Sequence, residues 1–189
     1  LFTMEPEQFH DVDHLLLNEA EITLPQFLQD LDAGQPQKIY RTDQFADIQQ
    51  SPAPQWDLIR LNDYATMSVQ YSRGCPFNCD FCNVTALLGH RMRVKTAQQM
   101  IAELDSLYQA GWRKGVFFVD DNLIGNKKVL KNELLPALID WRQDKYGFPF
   151  NTEVSINLAD DTELMEMMVA AGFNKVFIGI ETPNESNLE

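Results

Sequence analysis

A chain of 189 residues with 44% hydrophobic and 23% charged side chains can fold one domain around a sizeable core. Its formal net charge of −13 argues against nucleic acid as a partner, because phosphate contacts need a basic surface. No apolar run reaches the roughly 20 residues that a bilayer-crossing helix needs, and no basic-then-apolar leader opens the chain.

Leu1 stands where an initiator methionine would, which is expected of a piece of a longer protein. Residues 1–34 read as the tail of an upstream unit. Residues 12–17 suit a short buried strand, and Thr23 and Gln26 have capping-box spacing. Leu24, Phe27, Leu28 and Leu31 then follow helical periodicity up to Gly34. One strand and one helix bury no core, so this piece must pack on the main domain or on something outside the chain. Residues 35–66 show little periodicity and carry Pro36, Pro52 and Pro54, the composition of an interdomain linker. Trp56, Leu58, Ile59 and Leu61 would lay its second half on apolar surface.

From residue 67 strands alternate with helices. Residues 67–71 form a short strand that leads directly into the cysteine segment. Thr96 and Gln99 make a second capping box for a helix with Met100, Ile101, Leu104, Leu107 and Tyr108 on one face, stopped by Gly111. Residues 115–119 read as a buried strand that ends in Asp120, Asp121 and Asn122. A long helix over about 127–145 turns Leu130, Leu134, Leu138 and Trp141 inward, with a kink expected at Pro136. Residues 152–156 make a third strand. Asp160 and Glu163 then cap a helix carrying Leu164, Met167, Met168 and Ala171 inward, ended by Gly172. Residues 175–180 are a fourth strand, leading to Glu181, Thr182 and Pro183. Such alternation implies an α/β fold with parallel pairing and right-handed crossovers. Its active groups belong at the carboxyl ends of the strands, where the cysteine segment, residues 120–122, residues 155–157 and residues 181–182 all fall.

All three cysteines, Cys75, Cys79 and Cys82, lie within eight positions. A disulfide framework favours an even number spread along the chain, so the trio reads as metal ligands in a reducing compartment, the cytoplasm by default. Three thiolates on one loop hold three irons of a four-iron cluster and leave the fourth open to substrate or cofactor. Four cysteines instead close the cluster and restrict it to electron transfer. The competing readings are buried free thiols or a structural zinc site, for which His90 is the nearby candidate fourth ligand. Other groups have plainer readings. His10 and His14 suit packing or surface positions, Met165, Met167 and Met168 suit a core, and Lys127, Lys128 and Lys131 suit a solvated helix face.

The Cys-x3-Cys-x-aromatic-Cys pattern, with Phe81 at the aromatic position after a first strand, resembles the radical S-adenosylmethionine (SAM) superfamily from residue 67 to the end. More narrowly, residues 71–79 resemble the branch that carries an N-terminal cobalamin-binding domain. Residues 12–21 resemble the last strand and turn of that domain, with Asn18 in place of the glycine of a Gly-Glu-x-Glu turn. The Asp-x-His-x-x-Gly cobalamin motif is absent, since no residue separates Asp13 from His14.

The resemblance implies a partial TIM-type (β/α) barrel truncated after about four βα units and preceded by the tail of a cobalamin-binding Rossmann-like domain. The divisions are then 1–34 for the remnant, 35–66 for the linker and 67–189 for the barrel. It implies that Cys75, Cys79 and Cys82 hold a 4Fe-4S cluster whose open iron chelates SAM. One electron from an external donor such as flavodoxin or ferredoxin then cleaves SAM to methionine and a 5′-deoxyadenosyl radical. Phe81 is expected against the adenine, one of Asp120, Asp121 and Asn122 at the ammonium, and Ser155 and Glu181 at ribose or methionine. Arg91 or Arg93 is expected at the carboxylate. The substrate is expected to be a small molecule, and the branch includes methyl transfer to unactivated carbon as well as rearrangements and cyclisations. A truncated barrel is expected to be inactive or poorly active alone, with its fourth strand left as an edge. A non-catalytic iron–sulfur electron-transfer or metal-stabilised module is the alternative.

Overall fold

The computed structural model describes residues 3–182 and 184. Strand β1 (Leu15–Leu17), helix α1 (Ala20–Asp32) and strand β2 (Ile39–Arg41) form a small N-terminal unit in which the two strands pair in parallel. Asn18 is left-handed (φ 70°), a conformation that asparagine tolerates better than most residues with a Cβ. The chain therefore turns straight from β1 into α1, and the helix starts at Ala20 rather than at the expected cap. Thr23 lies inside α1, fully buried, its hydroxyl donating to the Glu19 carbonyl. Phe27 meets the rings of His14 and Tyr40, whereas Leu24, Leu28 and Leu31 line an exposed face of the helix. Strand β2 falls in the stretch read as linker; its Tyr40 is buried and donates to Asp30. Short 3-10 turns occupy the rest of that stretch. Trp56, Ile59 and Leu61 pack on the main core as expected, while Leu58 faces solvent.

Strand β3 (Met67–Val69) opens the main unit and is followed by β4 (Ser72–Arg73), the cysteine segment, α2 (Val84–Leu88) and β5 (Arg93–Val94). Helix α3 (Ala97–Gln109) carries the expected capping box between Thr96 and Gln99. Gly111 follows at φ 97°, where a Cβ would be strained. Strand β6 (Val116–Phe118) leads through a 3-10 turn to a long helix in three parts: α4 (Lys127–Val129), a π-helical turn (Leu130–Leu134) and α5 (Leu135–Arg142). The π turn precedes Pro136, widening the helix where proline lacks an N–H and its ring would press on the preceding turn. Strand β7 (Phe150–Glu153), helix α6 (Thr162–Ala171) and strand β8 (Phe173–Phe177) complete the order. Asp161, one residue after the expected Asp160, caps α6 by accepting from the Leu164 N–H.

The four strands lie in the order β3-β6-β7-β8, all neighbours parallel, with β8 at the edge among the described residues. Phe118, Phe150 and Phe173 meet across β6, β7 and β8 at ring-centroid distances of 5.1 to 5.4 Å. Each ring is worth roughly 2 kcal/mol or more in area removed from water. Leu104 and Leu107 of α3, Leu135 and Leu138 of α5, and Leu164 of α6 close the same core. This packing fixes the strand ends from which the polar residues project.

Candidate functional site

Two ladders set the cysteine segment. The parallel sheet brings Val69 beside Phe118, and the Val119 N–H donates to the Val69 carbonyl. One residue on, the Asp120 carboxylate accepts from the N–H groups of Tyr71 and Ser72 and from the Ser72 hydroxyl. Asp120 is 1% exposed; desolvation pushes its carboxyl up to about 6, and those hydrogen bonds oppose the shift. Beyond it, β4 and β5 pair antiparallel, Ser72 with Val94 and Arg73 with Arg93. This neck encloses residues 74–92.

Inside the neck Gly74 is left-handed (φ 96°), and a Cβ there would lie 2.8 Å from the Arg91 carbonyl oxygen and 2.9 Å from that of Gly89. The Cys75 N–H donates to the Gly89 carbonyl, and the Cys82 N–H closes a turn on Cys79. The loop rests on the turn after β6: a Cβ on Gly125 would sit 3.1 Å from Pro76 Cδ and 3.0 Å from Met92 Sδ. Cys75 and Cys82 are partly buried, Cys79 is exposed, and all three are free thiols. Among the described residues no three His, Cys, Asp or Glu side chains converge on a single-ion position. A cuboidal cluster asks for no such convergence, because each thiolate binds a different iron. Three free thiols on one loop, with no fourth cysteine in the chain, fit a cluster with one open iron.

The remaining predicted residues divide. Phe81, on the loop between Cys79 and Cys82, is 71% exposed. Asn122 is buried, and its Oδ1 accepts from the Ser155 N–H at 3.2 Å, which brings the ends of β6 and β7 together. That donor identifies the oxygen end of the amide, and Asn122 Nδ2 is left buried without a partner among the described residues. Asp121 is exposed, its carboxyl raised by desolvation. Glu181, exposed and left-handed (φ 63°), lies past β8, at the far side of the sheet from the loop. Arg91 is exposed. The Arg93 guanidinium donates to Glu19 (2.7 Å) and to the carbonyls of Ala46 and Leu88. Pro183 lies outside the described residues.

Sequence reasoning assigned no role to Ser72, Arg73, Glu19 or Glu21. Arg73 ion-pairs with Glu19 at 2.7 Å and with Glu21 at 2.6 Å, which holds the Glu21 carboxyl at about 2. The signal was the Glu-x-Glu turn itself: two carboxylates two residues apart, in a chain whose cysteines are flanked by Arg73 on one side and Arg91 and Arg93 on the other.

Fold and site together define an α/β protein that presents three cysteine thiols at the carboxyl edge of a parallel sheet. The chain belongs to the radical SAM superfamily, whose family model matches residues 69–189. It is 50% identical over 178 residues to an uncharacterized methyltransferase of Synechocystis, covering 94% of this chain and 33% of the relative. It is 36% identical over 190 residues to the hopanoid C-2 methylase of Rhodopseudomonas palustris, covering 97% of this chain and 36% of the relative. The chain thus spans about a third of the length of these relatives, and the methyltransferase homologues mark an enzyme family. Two solved structures share the fold. The cobalamin-dependent SAM radical enzyme OxsB with aqua-cobalamin bound superposes at a TM-score of 0.77 with 19% identity, covering 99% of this chain and 31% of that one. The radical SAM methyltransferase TsrM of Kitasatospora setae, with tryptophan and a SAM analogue bound, gives 0.76 with 17% identity, covering 99% and 41%. No helix among the described residues is long and apolar enough to cross a membrane.

Proposed function

We propose that this chain is the cluster-binding part of a radical SAM enzyme that methylates carbon on a small molecule. One observation carries the reading: three free thiols on a loop braced at the carboxyl end of the first strand of a parallel sheet. The relatives' names supply the reaction class, and they favour an enzyme over a non-catalytic iron–sulfur module.

Cys75, Cys79 and Cys82 would hold a 4Fe-4S cluster. When bound, the cluster supplies the electron, delivered by a donor such as flavodoxin or ferredoxin, that cleaves the sulfonium C–S bond of SAM. The chain's own residues position and shield. Asn122 Nδ2, a buried donor without a partner, suits a SAM oxygen, and Ser155 orients the amide that presents it. Asp121 is the exposed carboxylate at the end of β6 and suits the SAM ammonium, while Asp120 holds the loop backbone. Phe81 suits the adenine face, Arg91 the SAM carboxylate and Glu181 the ribose or methionine end. Arg93 drops out of the ligand set because its guanidinium is engaged by Glu19.

The four βα units would form the first part of a partial barrel. The N-terminal unit, extended by β2 to about residue 41, would be the end of a cobalamin-binding domain, with the linker running from there to residue 66. The residues present do not fit cobalamin. His14 is engaged with the Gln37 carbonyl at 2.7 Å and the Phe27 ring, and no Asp-x-His-x-x-Gly motif exists in the chain.

The test is anaerobic reconstitution of the full-length parent, with iron and sulfide measured per chain, then detection of 5′-deoxyadenosine after SAM and a reductant are added. Substitution of any one of Cys75, Cys79 or Cys82 by alanine should sharply lower bound iron. Zinc in place of iron, or a cluster indifferent to SAM, would overturn the proposal.

A further inference from the structure

Arg73 and Arg93 face each other across the neck of the cysteine loop as register partners of β4 and β5. Like charges directly opposite on a ladder destabilise it, and removal of water strengthens the repulsion. Both side chains are largely buried, at 19% and 16% exposure, and strands of two residues give few ladder bonds to oppose the repulsion. One carboxylate stands between them. Glu19, 2% exposed, takes Arg73 Nη1 on Oε2 and Arg93 Nη2 on Oε1, each at 2.7 Å. Glu21 holds the outer side of Arg73 through two hydrogen bonds of 2.6 and 3.0 Å. Neither acid belongs to the main unit. Glu19 occupies the N-cap position of α1, its side chain making no cap bond, and Glu21 lies in the first turn, both placed by the left-handed turn at Asn18.

We propose that Glu19 is a positioning residue that closes the neck of the cysteine loop from the N-terminal unit. The arrangement of the three thiols then depends on how that unit is seated. A shift of α1 withdraws the anion, leaves two arginines face to face and loosens the loop between them. The inference rests on the reading of the three cysteines as cluster ligands, but its labelling test does not.

The rate of alkylation by iodoacetamide of Cys75 and Cys82, the two partly buried thiols, is measured in the metal-free full-length parent, and iron per chain is measured after reconstitution. Glu19→Gln, which removes the charge and keeps the shape, should speed labelling about tenfold and lower retained iron. Glu21→Gln leaves Glu19 between the arginines and should change labelling only about twofold. The double variant Glu19→Gln/Arg93→Gln removes the facing charge while keeping an N–H donor, and should return labelling toward the wild-type rate. A merely packing role for Glu19 would not be repaired by a second substitution on β5. Should Glu19→Gln fail to fold, Glu19→Asp replaces it: one methylene shorter, it cannot span both guanidinium groups and should speed labelling in the same direction but by less. Equal labelling of wild type and Glu19 variant, or a double variant no slower than the single, would overturn the inference. A wild-type chain that takes up no iron would instead overturn the proposed function and leave the labelling comparison standing.

Discussion

Replacing Asp120 by alanine takes away the acceptor shared by the N–H groups of Tyr71 and Ser72 and by the Ser72 hydroxyl. Each buried N–H left without a partner costs about 1–3 kcal/mol, so the two together cost about 4 kcal/mol. A second effect opposes this. Desolvation raises the Asp120 carboxyl from 3.8 to about 6, so above pH 6 the native protein carries an ionised group in a poor environment, a burden of about 3 kcal/mol. Because the folded value lies above the unfolded one, native Asp120 holds more proton between those values, and its contribution to stability falls as pH rises through that window. Alanine has no such dependence. The variant should therefore be less stable than wild type by about 4 kcal/mol near pH 4 and by about 1 kcal/mol near pH 8. Urea unfolding, followed by the fluorescence of Trp56, Trp112 and Trp141 across this range, measures the difference from the midpoints at constant slope. A difference that does not change with pH, or that stays below about 0.5 kcal/mol throughout, would refute the assignment of Asp120 as the buried anchor of the loop backbone.

Three further outcomes follow from the same geometry. Gly74→Ala places a Cβ against the backbone oxygens of Arg91 and Gly89 at a positive φ, and should cost about 3 kcal/mol and lower iron uptake; an unchanged urea midpoint would count against the tight neck. Glu21 has a carboxyl lowered from 4.5 to about 2, chiefly by the hydrogen bond from Arg73, so its contribution is present above pH 4.5 and is lost as pH falls toward 2. Screened by solvent it is worth about 1 kcal/mol, and Glu21→Gln should flatten the acid limb of the stability profile by that amount. Asn18→Gly should stay within about 1 kcal/mol of wild type, whereas Asn18→Ala should cost about 1–2 kcal/mol by combining left-handed strain with loss of the bond from Asn18 Nδ2 to the Thr42 carbonyl. Thermal unfolding of the two variants side by side separates those cases.

Much of this protein was legible in its residue order because the informative signals are local. The apolar stripe and capping box of α3 lie within one helix, and the cysteine fingerprint lies on one loop. A parallel sheet followed from the alternation of strands and helices, and the neighbouring order β3-β6-β7-β8 bears it out. What failed was also local. Thr23 and Gln26 match a capping box, yet the Asn18 turn starts the helix earlier and buries Thr23. The three-residue strand β2 is too short to show a period, and only its parallel partner β1 reveals it.

The sequence by itself determined the chemistry on offer: three thiols, an aromatic beside them, and carboxylates and amides at successive strand ends. Only the tertiary structure decided which of those groups are already engaged. Asp120 reads as a ligand for a cation and is instead buried under two backbone amides 48 and 49 residues away in sequence. Arg93 reads as a partner for a carboxylate, and the one it meets is Glu19, 74 residues away. Periodicity carries no information about such pairs, because the attraction between two charges depends on distance and solvent exposure after folding, and neither is written in the spacing of residues along the chain.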